Sequence, residues 1–174
     1  FAPVAKLDAL LNGELDGSRI PLDVTESAGT SSEWIGRDDS RIGRAGAPED
    51  RAAAAAWSAF SEAHVITVSS EESVTTVVTR SELGTGPRAA HTVIEAKAHA
   101  RGLVILENRG AATVSENVEI VVGDGAELTV VSIQQWSEDA QHLASHYATV
   151  GRDASLKHIV VSLGGSIVRV NPSI

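Results

Sequence analysis

The chain contains no cysteine and no methionine among its 174 residues. Without cysteine there are no disulfides, no thiolate metal ligands and no cysteine nucleophile, and the composition suits a reducing compartment. Aromatic residues make up only 3% of the chain, so a core has to be assembled from Val, Ile, Leu and Ala. That favours closely stacked strands over a helical bundle. Positive charge is scarce: 14 Lys and Arg stand against 23 Asp and Glu, a net charge of −9. An acidic chain of this kind is a poor partner for nucleic acid or an anionic membrane surface. No apolar run approaches the roughly 18 residues of a membrane span, and no secretory leader is visible, so the expected location is the cytoplasm. With Phe1 first and no methionine anywhere, the chain is expected to be a piece of a longer translation product.

What is present is a repeat. Val122-Gly123-Asp124-Gly125-Ala126-Glu127-Leu128 returns as Val150-Gly151-Arg152-Asp153-Ala154-Ser155-Leu156, an offset of 28 residues. Both copies read Val-Gly-x-x-Ala-x-Leu, and a β-rich run follows each, Thr129 to Ile133 and Lys157 to Val161. Ala98 is expected to fall in register with Ala126 and Ala154. A period of this size marks a solenoid. Each strand ends in a Gly/Asp corner, a small Ala fits inside the corner, and Leu opens the next strand pointing inward. Stacking such coils buries a continuous core that no single coil could bury.

Along the chain, Val4, Leu7, Leu10 and Leu11 have helical spacing, and Asn12-Gly13 stops them. Residues 23–46 are polar and Gly/Ser-rich and read as a surface loop docked by Trp34 and Ile35. Gly36, Gly43 and Gly46 lack the Gly-Lys-Ser/Thr of a phosphate loop. Residues 48–63 read as a helix: Pro48 sits at its first position, Glu49 and Asp50 complement the dipole, and Ala52 to Ala56 favour helix. Its face of Ala53, Trp57 and Phe60 is expected to pack on the first coil and cap the open end of the solenoid. From His64 onward short strands and turns alternate. The organisation is therefore an N-terminal helix and loop over 1–47, a capping helix over 48–63 and a β-helix core over 64–174. Thr129 to Ile133 carries apolar residues on both faces, which predicts either a bulge or a covered outer face.

The order and spacing of several short motifs resemble the SufB/SufD family. They are Glu107-Asn108-Arg109-Gly110, then Gly151 to His158, then Ser162-Leu163-Gly164-Gly165. Ala140 to His146, leading into Gly151-Arg152-Asp153, is closer to the SufD branch than to SufB. The likeness runs from about Ala52 to Ile174. One departure is that Val170 separates Arg169 from Asn171, where the family commonly has Arg-Asn adjacent. The resemblance implies a mainly β fold, a right-handed parallel β-helix. It implies a non-enzymatic scaffold subunit in SUF iron–sulfur cluster assembly, in complex with a SufB-like subunit and the SufC-like ATPase. The family's later coils, its ATPase-contacting helices and its SufB-facing histidine have no counterpart here, so no site residue is carried over.

The residues themselves offer little chemistry. No Gly-x-Ser-x-Gly elbow occurs. His142 and His146 are four apart near Glu138 and Asp139; on a strand that spacing is roughly 13 Å, too far for one ion. They are expected to be solvated residues of an outer face or corner. His158, among Ile159, Val160 and Val161, reads as a hydrogen-bonded, half-buried histidine. Lys97, His99 and Arg101 read as the wet side of a strand. No catalytic, metal or cofactor residue is assigned, and no motif assigns an iron–sulfur cluster or a flavin. Two other functions fit the architecture, a carbohydrate-binding or carbohydrate-active β-helix and a purely structural solenoid. An unpaired coil at the C-terminal end would be the expected assembly surface, and a possible homodimer contact.

Overall fold

The computed structural model describes residues 7–174. Of the expected first helix, Phe1 and Val4 lie outside the described residues; α1 spans Asp8–Asn12 and ends at Gly13. The chain then forms β1 (Asp23–Thr25), β2 (Thr30–Gly36), α2 (Arg51–Ala59), β3 (Glu62–Val68), β4 (Val74–Arg80), β5 (Pro87–Ala96) and β6 (Arg101–Gly110). It continues as β7 (Thr113–Val122), β8 (Glu127–Trp136), β9 (Gln141–Val150), β10 (Ser155–Ser162) and β11 (Ile167–Ser173). Strands β3 to β11 wind as a β-solenoid of about 4 turns. One sheet, sheet A, has the order β11-β9-β7-β5-β3-β2, and the other, sheet B, has β1-β4-β6-β8-β10. All coil-to-coil pairs are parallel.

The core follows from period-two alternation. On β8, Leu128, Val130, Ser132, Gln134 and Trp136 point inward and are buried, while Thr129, Val131 and Ile133 face out half-exposed. The ambiguous run therefore contains no bulge; its register with β6 and β10 is unbroken. Ile66, Ile94 and Ile120 stack on sheet A and Val104, Leu106, Leu128 and Val130 on sheet B, filling one half of the lumen.

The coil length is not constant. His64 pairs with Thr92, 28 residues on, Thr92 with Val118, 26 on, and Val118 with His146, 28 on. The 28-residue repeat thus holds for two of these three intervals, and across the 26-residue interval between them the upstream corner is displaced by two. Arg101 pairs with Glu127 and Glu127 with Ser155, so Ala100, not Ala98, precedes the inward turn in register with Ala126 and Ala154. Ala100 and Ala126 are fully buried, whereas Ala98 is exposed. The corner residue before each of these alanines has positive φ: His99 at 63°, Gly125 at 68° and Asp153 at 55°. The preceding glycines serve a different purpose. A Cβ on Gly123 would lie 2.7 Å from the Ala98 nitrogen, and one on Gly151 would lie 2.7 Å from the Asp124 nitrogen. Each corner is stacked backbone-to-backbone on the one before it.

Two expectations for the N-terminal third need correction. The stretch 23–46 is not only loop: β1 pairs antiparallel with β4, and β2 pairs antiparallel with β3. These strands, not a helix, close the edges of the first coil, because hydrogen-bonding groups along an open strand are satisfied best by another strand. The helix is shorter than expected and starts later. Asp50 is its N-cap and accepts a hydrogen bond from the Ala53 N–H at 2.8 Å, leaving Pro48 outside. It lies across the outer face of sheet A against β5, β7 and β9. Its small residues Ala52, Ala53 and Ala56 allow this close approach. The Ser115 hydroxyl and the Asn117 amide donate to the Ala52 and Ala53 carbonyls, at 3.0 Å each.

Candidate functional site

Between this aliphatic stack and a second buried apolar cluster that includes Ala90, Val114, Ala140 and Trp136, the lumen holds a polar layer. Arg80 is the last residue of β4 and continues the inward phase of Thr76 and Val78. Its guanidinium is buried, donating to the Glu116 carboxylate at 2.6 Å and to the Thr92 hydroxyl at 2.6 Å. Glu116, in phase with Val114 and Val118 on β7, meets His142 Nε2 through its other oxygen at 2.7 Å. Trp136 Nε1–H donates to His142 Nδ1 at 3.1 Å. An indole can only donate, so Nδ1 is the acceptor and Nε2–H donates to Glu116. The result is a chain from Trp136 through His142 and Glu116 to Arg80, with one buried cation matched to one buried anion. Beside it Asn108 donates to Gln134 at 3.1 Å and Gln134 to the Ser132 hydroxyl at 2.7 Å.

Electrostatics follow from this arrangement. Burial pushes the Glu116 carboxyl up, but the Arg80 charge and the His142 hydrogen bond outweigh it and hold the group well below the usual carboxylate range. Burial, and beyond it the Arg80 charge, push His64 down to about 4. Burial pushes His146 down to about 3 and also lowers His158. His146 Nδ1 and His158 Nε2 share one hydrogen bond at 2.9 Å.

A second buried polar group lies outside the lumen, under α2. Glu119 accepts from the backbone N–H of Gly43 at 2.7 Å and of Ala45 at 2.9 Å and pairs with His91 Nε2 at 2.9 Å. His91 stacks on Phe60 with centroids 4.4 Å apart, and Trp57 meets it edge-on at 4.8 Å. These contacts fasten the segment between β2 and α2 to sheet A.

The structure relocates the singled-out histidines. His142 and His146 are not on a solvated outer face: both point into the lumen and are buried. They bond different partners, Glu116 and His158. Their inward phase overrides their polarity, because alternation along β9 puts them in line with Ala144 and Ala148. His158 is half-buried and hydrogen-bonded, as its apolar neighbours predict. Lys97 and His99 lie in an exposed corner rather than on a strand, and Arg101 opens β6. Among the described residues no group of three or more His, Cys, Asp or Glu is placed to hold a metal ion. No helix of the described residues is long and apolar enough to cross a membrane. Trp136 is buried in the lumen, Trp57 packs on His91 and Trp34 on His64 at 5.2 Å, so the tryptophans form no common exposed platform for a sugar. Sequence reasoning missed Arg80, Glu116 and Trp136. Their signal was parity: each continues the inward phase of the aliphatic residues on its own strand.

Residues 77–174 match the profile of the SufBD core domain of the SUF system for FeS cluster assembly. An iron–sulfur cluster assembly SufBD family protein of Mycobacterium leprae is 36% identical over 178 residues, covering 100% of this chain and 45% of that protein. Its counterpart in Mycobacterium tuberculosis H37Rv is 34% identical with the same coverage, over 178 residues, 100% and 45%. The chain therefore spans less than half the length of these relatives. No solved structure matches it.

Proposed function

The chain belongs to the SufBD family of the SUF iron–sulfur cluster assembly system, and from that premise we propose that it is a non-catalytic scaffold segment. It acts with a SufB-like subunit and a SufC-like ATPase, on the SufD side of the family. The observation that carries the reading is the profile match over residues 77–174, which takes in the end of β4 and strands β5 to β11. The likeness of Ala140 to His146 to the SufD branch supports the finer assignment. The mechanism is one of rigid geometry. Continuous parallel ladders and a lumen whose charges are paired internally make a stiff rod. With no cysteine, the segment cannot ligate a cluster or carry sulfide through thiolates, so cluster chemistry belongs to a partner or to another part of the parent protein.

The test is co-purification and size-exclusion chromatography of the full-length parent and of this segment, each mixed with SufB-like and SufC-like partners. Assembly of the parent in one stable complex is expected. If the parent assembles with neither partner, the scaffold reading fails, and a polysaccharide-binding screen of the same samples becomes the next experiment.

A further inference from the structure

His146 and His158 take no part in the buried chain from Trp136 to Arg80. They approach each other from opposite walls of the lumen. His146 lies on β9 in sheet A, in line with Ala144 and Ala148. His158 lies on β10 in sheet B, in line with Leu156, which packs on the aliphatic core. The ring centroids are 4.9 Å apart, and Nδ1 of His146 stands 2.9 Å from Nε2 of His158. The buried histidines His91 and His142 each set a ring nitrogen against a carboxylate, Glu119 and Glu116. This pair instead sets nitrogen against nitrogen. Glu116, the carboxylate of the lumen, is committed to Arg80 and His142. His146 Nε2 is buried and has no hydrogen-bond partner among the described residues. Burial holds both imidazoles below the ordinary histidine value, His146 at about 3. At neutral pH both rings are therefore uncharged, the form in which histidine binds metal.

We propose that His146 Nδ1 and His158 Nε2 form a binding site for one divalent transition-metal ion of the Zn²⁺ class, which ties β9 to β10 across the lumen. Two imidazole nitrogens at about 2.0–2.1 Å from one tetrahedral ion stand roughly 3.3–3.4 Å apart. The rings have to part by only about 0.4–0.5 Å from their 2.9 Å contact to admit it. No proton has to leave. While the rings bond each other, one of the facing nitrogens carries the hydrogen; when the ion binds, that hydrogen moves to the other nitrogen of the same ring. For His146 that nitrogen is Nε2, which nothing else engages among the described residues. A donor set of imidazoles alone suits Zn²⁺, Ni²⁺ or Cu²⁺ and not Mg²⁺ or Ca²⁺, which take oxygen ligands. His158 is half-buried and His146 buried, so the ion enters on the His158 side. Two protein ligands leave the remaining positions to water or another donor, which makes the site open rather than a closed structural shell.

The experiment uses the full-length parent protein, stripped with a chelator and titrated with Zn²⁺, and with Co²⁺ as a spectroscopic probe. The His158→Ala variant is expected to take up one equivalent fewer than the parent. His158→Gln and His146→Gln each lower the affinity for that equivalent about tenfold or more, since even loss of an outer-shell partner costs that much. His99→Ala, at an exposed corner, leaves it unchanged, and excess Mg²⁺ does not displace it. In ¹⁵N NMR of histidine-labelled protein, Zn²⁺ shifts the ring nitrogens of His146 and His158. That readout separates ligation from a folding defect in the variants, and thermal melts of the metal-free proteins accompany it. A parent that binds neither ion overturns the inference. So does equal uptake by the parent and His158→Ala, or Zn²⁺ uptake that leaves both sets of ring nitrogens unshifted. The scaffold reading is untouched by any of these results, because partner assembly is not what they measure.

Discussion

At the scale of single residues, the lumen is defined by a few polar side chains in aliphatic phase. Glu116 holds Arg80 and His142 together inside the solenoid. Glu116→Gln leaves Arg80 as a buried cation without its anion, and such losses destabilise by about 3–5 kcal/mol. Urea unfolding at neutral pH is expected to show a loss of that order, with no change in the denaturant slope. The buried histidines set an acid limit. His64 and His146 are held down at about 4 and about 3 in the folded state but titrate near 6.5 when unfolded. Below about pH 6.5 the unfolded chain therefore binds protons that the folded chain refuses, and stability falls as pH falls. The slope is about 1.4 kcal/mol per pH unit for each histidine, down to the folded values. Glu116 extends the loss further into acid, since its carboxylate must be protonated there. The melting temperature should be flat above pH 7 and drop steeply between about pH 6 and 4. A His64→Phe variant should have a shallower slope over this range; an unchanged slope would remove His64 from the account.

At the scale of elements, corners and caps explain the repeat better than strands do. The position before each inward alanine is left-handed, yet only Gly125 is a glycine there; His99 and Asp153 adopt φ of 63° and 55° at a cost. Asp153→Gly removes that strain and is expected to stabilise by about 0.5–1 kcal/mol, measured as a raised denaturation midpoint. Gly123→Ala acts in the opposite direction: its Cβ would meet only backbone atoms of the neighbouring corner, at 2.7–2.9 Å. The coil must shift, and a loss of about 2 kcal/mol or more is expected. Asp50 joins two elements, capping α2 and accepting from Arg169 on β11 at 2.6 Å. Asp50→Ala should cost about 1–2 kcal/mol and loosen β11, seen as faster amide exchange in that strand. These elements were unequally legible. β-branched runs gave β3 and β4 and alternation gave β7, whereas the parity of β8 stayed ambiguous because Val131 and Ile133 put apolar side chains on its outer face as well. Neither signal could give β1 and β2, whose Ser, Thr and Glu residues pair as edge strands for lack of any other partner.

At the scale of the whole molecule, stability is that of a stack. Each coil touches only its neighbours, so protection is set by how many neighbours a strand has. Strands β6, β7 and β8 lie between two others, whereas β10 and β11 pair on one side only. In this segment taken alone, native-state hydrogen exchange should therefore be slowest in β6 to β8 and fastest in β10 and β11. If β10 exchanged as slowly as β7, the account of stability as a stack of nearest-neighbour coils would lose its support.

The sequence by itself determined the class of fold. A 3% aromatic content, alternating β-branched runs and the recurring Val-Gly-x-x-Ala-x-Leu corner leave stacked parallel coils as the arrangement that buries enough surface. The motifs from Glu107 to Gly165 were also enough to point to the family. Only the tertiary structure decided the rest. It set the alternating 28- and 26-residue coil, which moved the upstream corner from Ala98 to Ala100. It laid α2 on the face of sheet A instead of across the end of the solenoid. It brought Arg80, Glu116, Trp136 and His142 together from four strands into one buried chain. The reason is physical: phase along a strand is a local property and can be read residue by residue. Which strand lies opposite, and which face a helix covers, depends on contacts between residues far apart in the chain, and those are chosen by the packing of the whole.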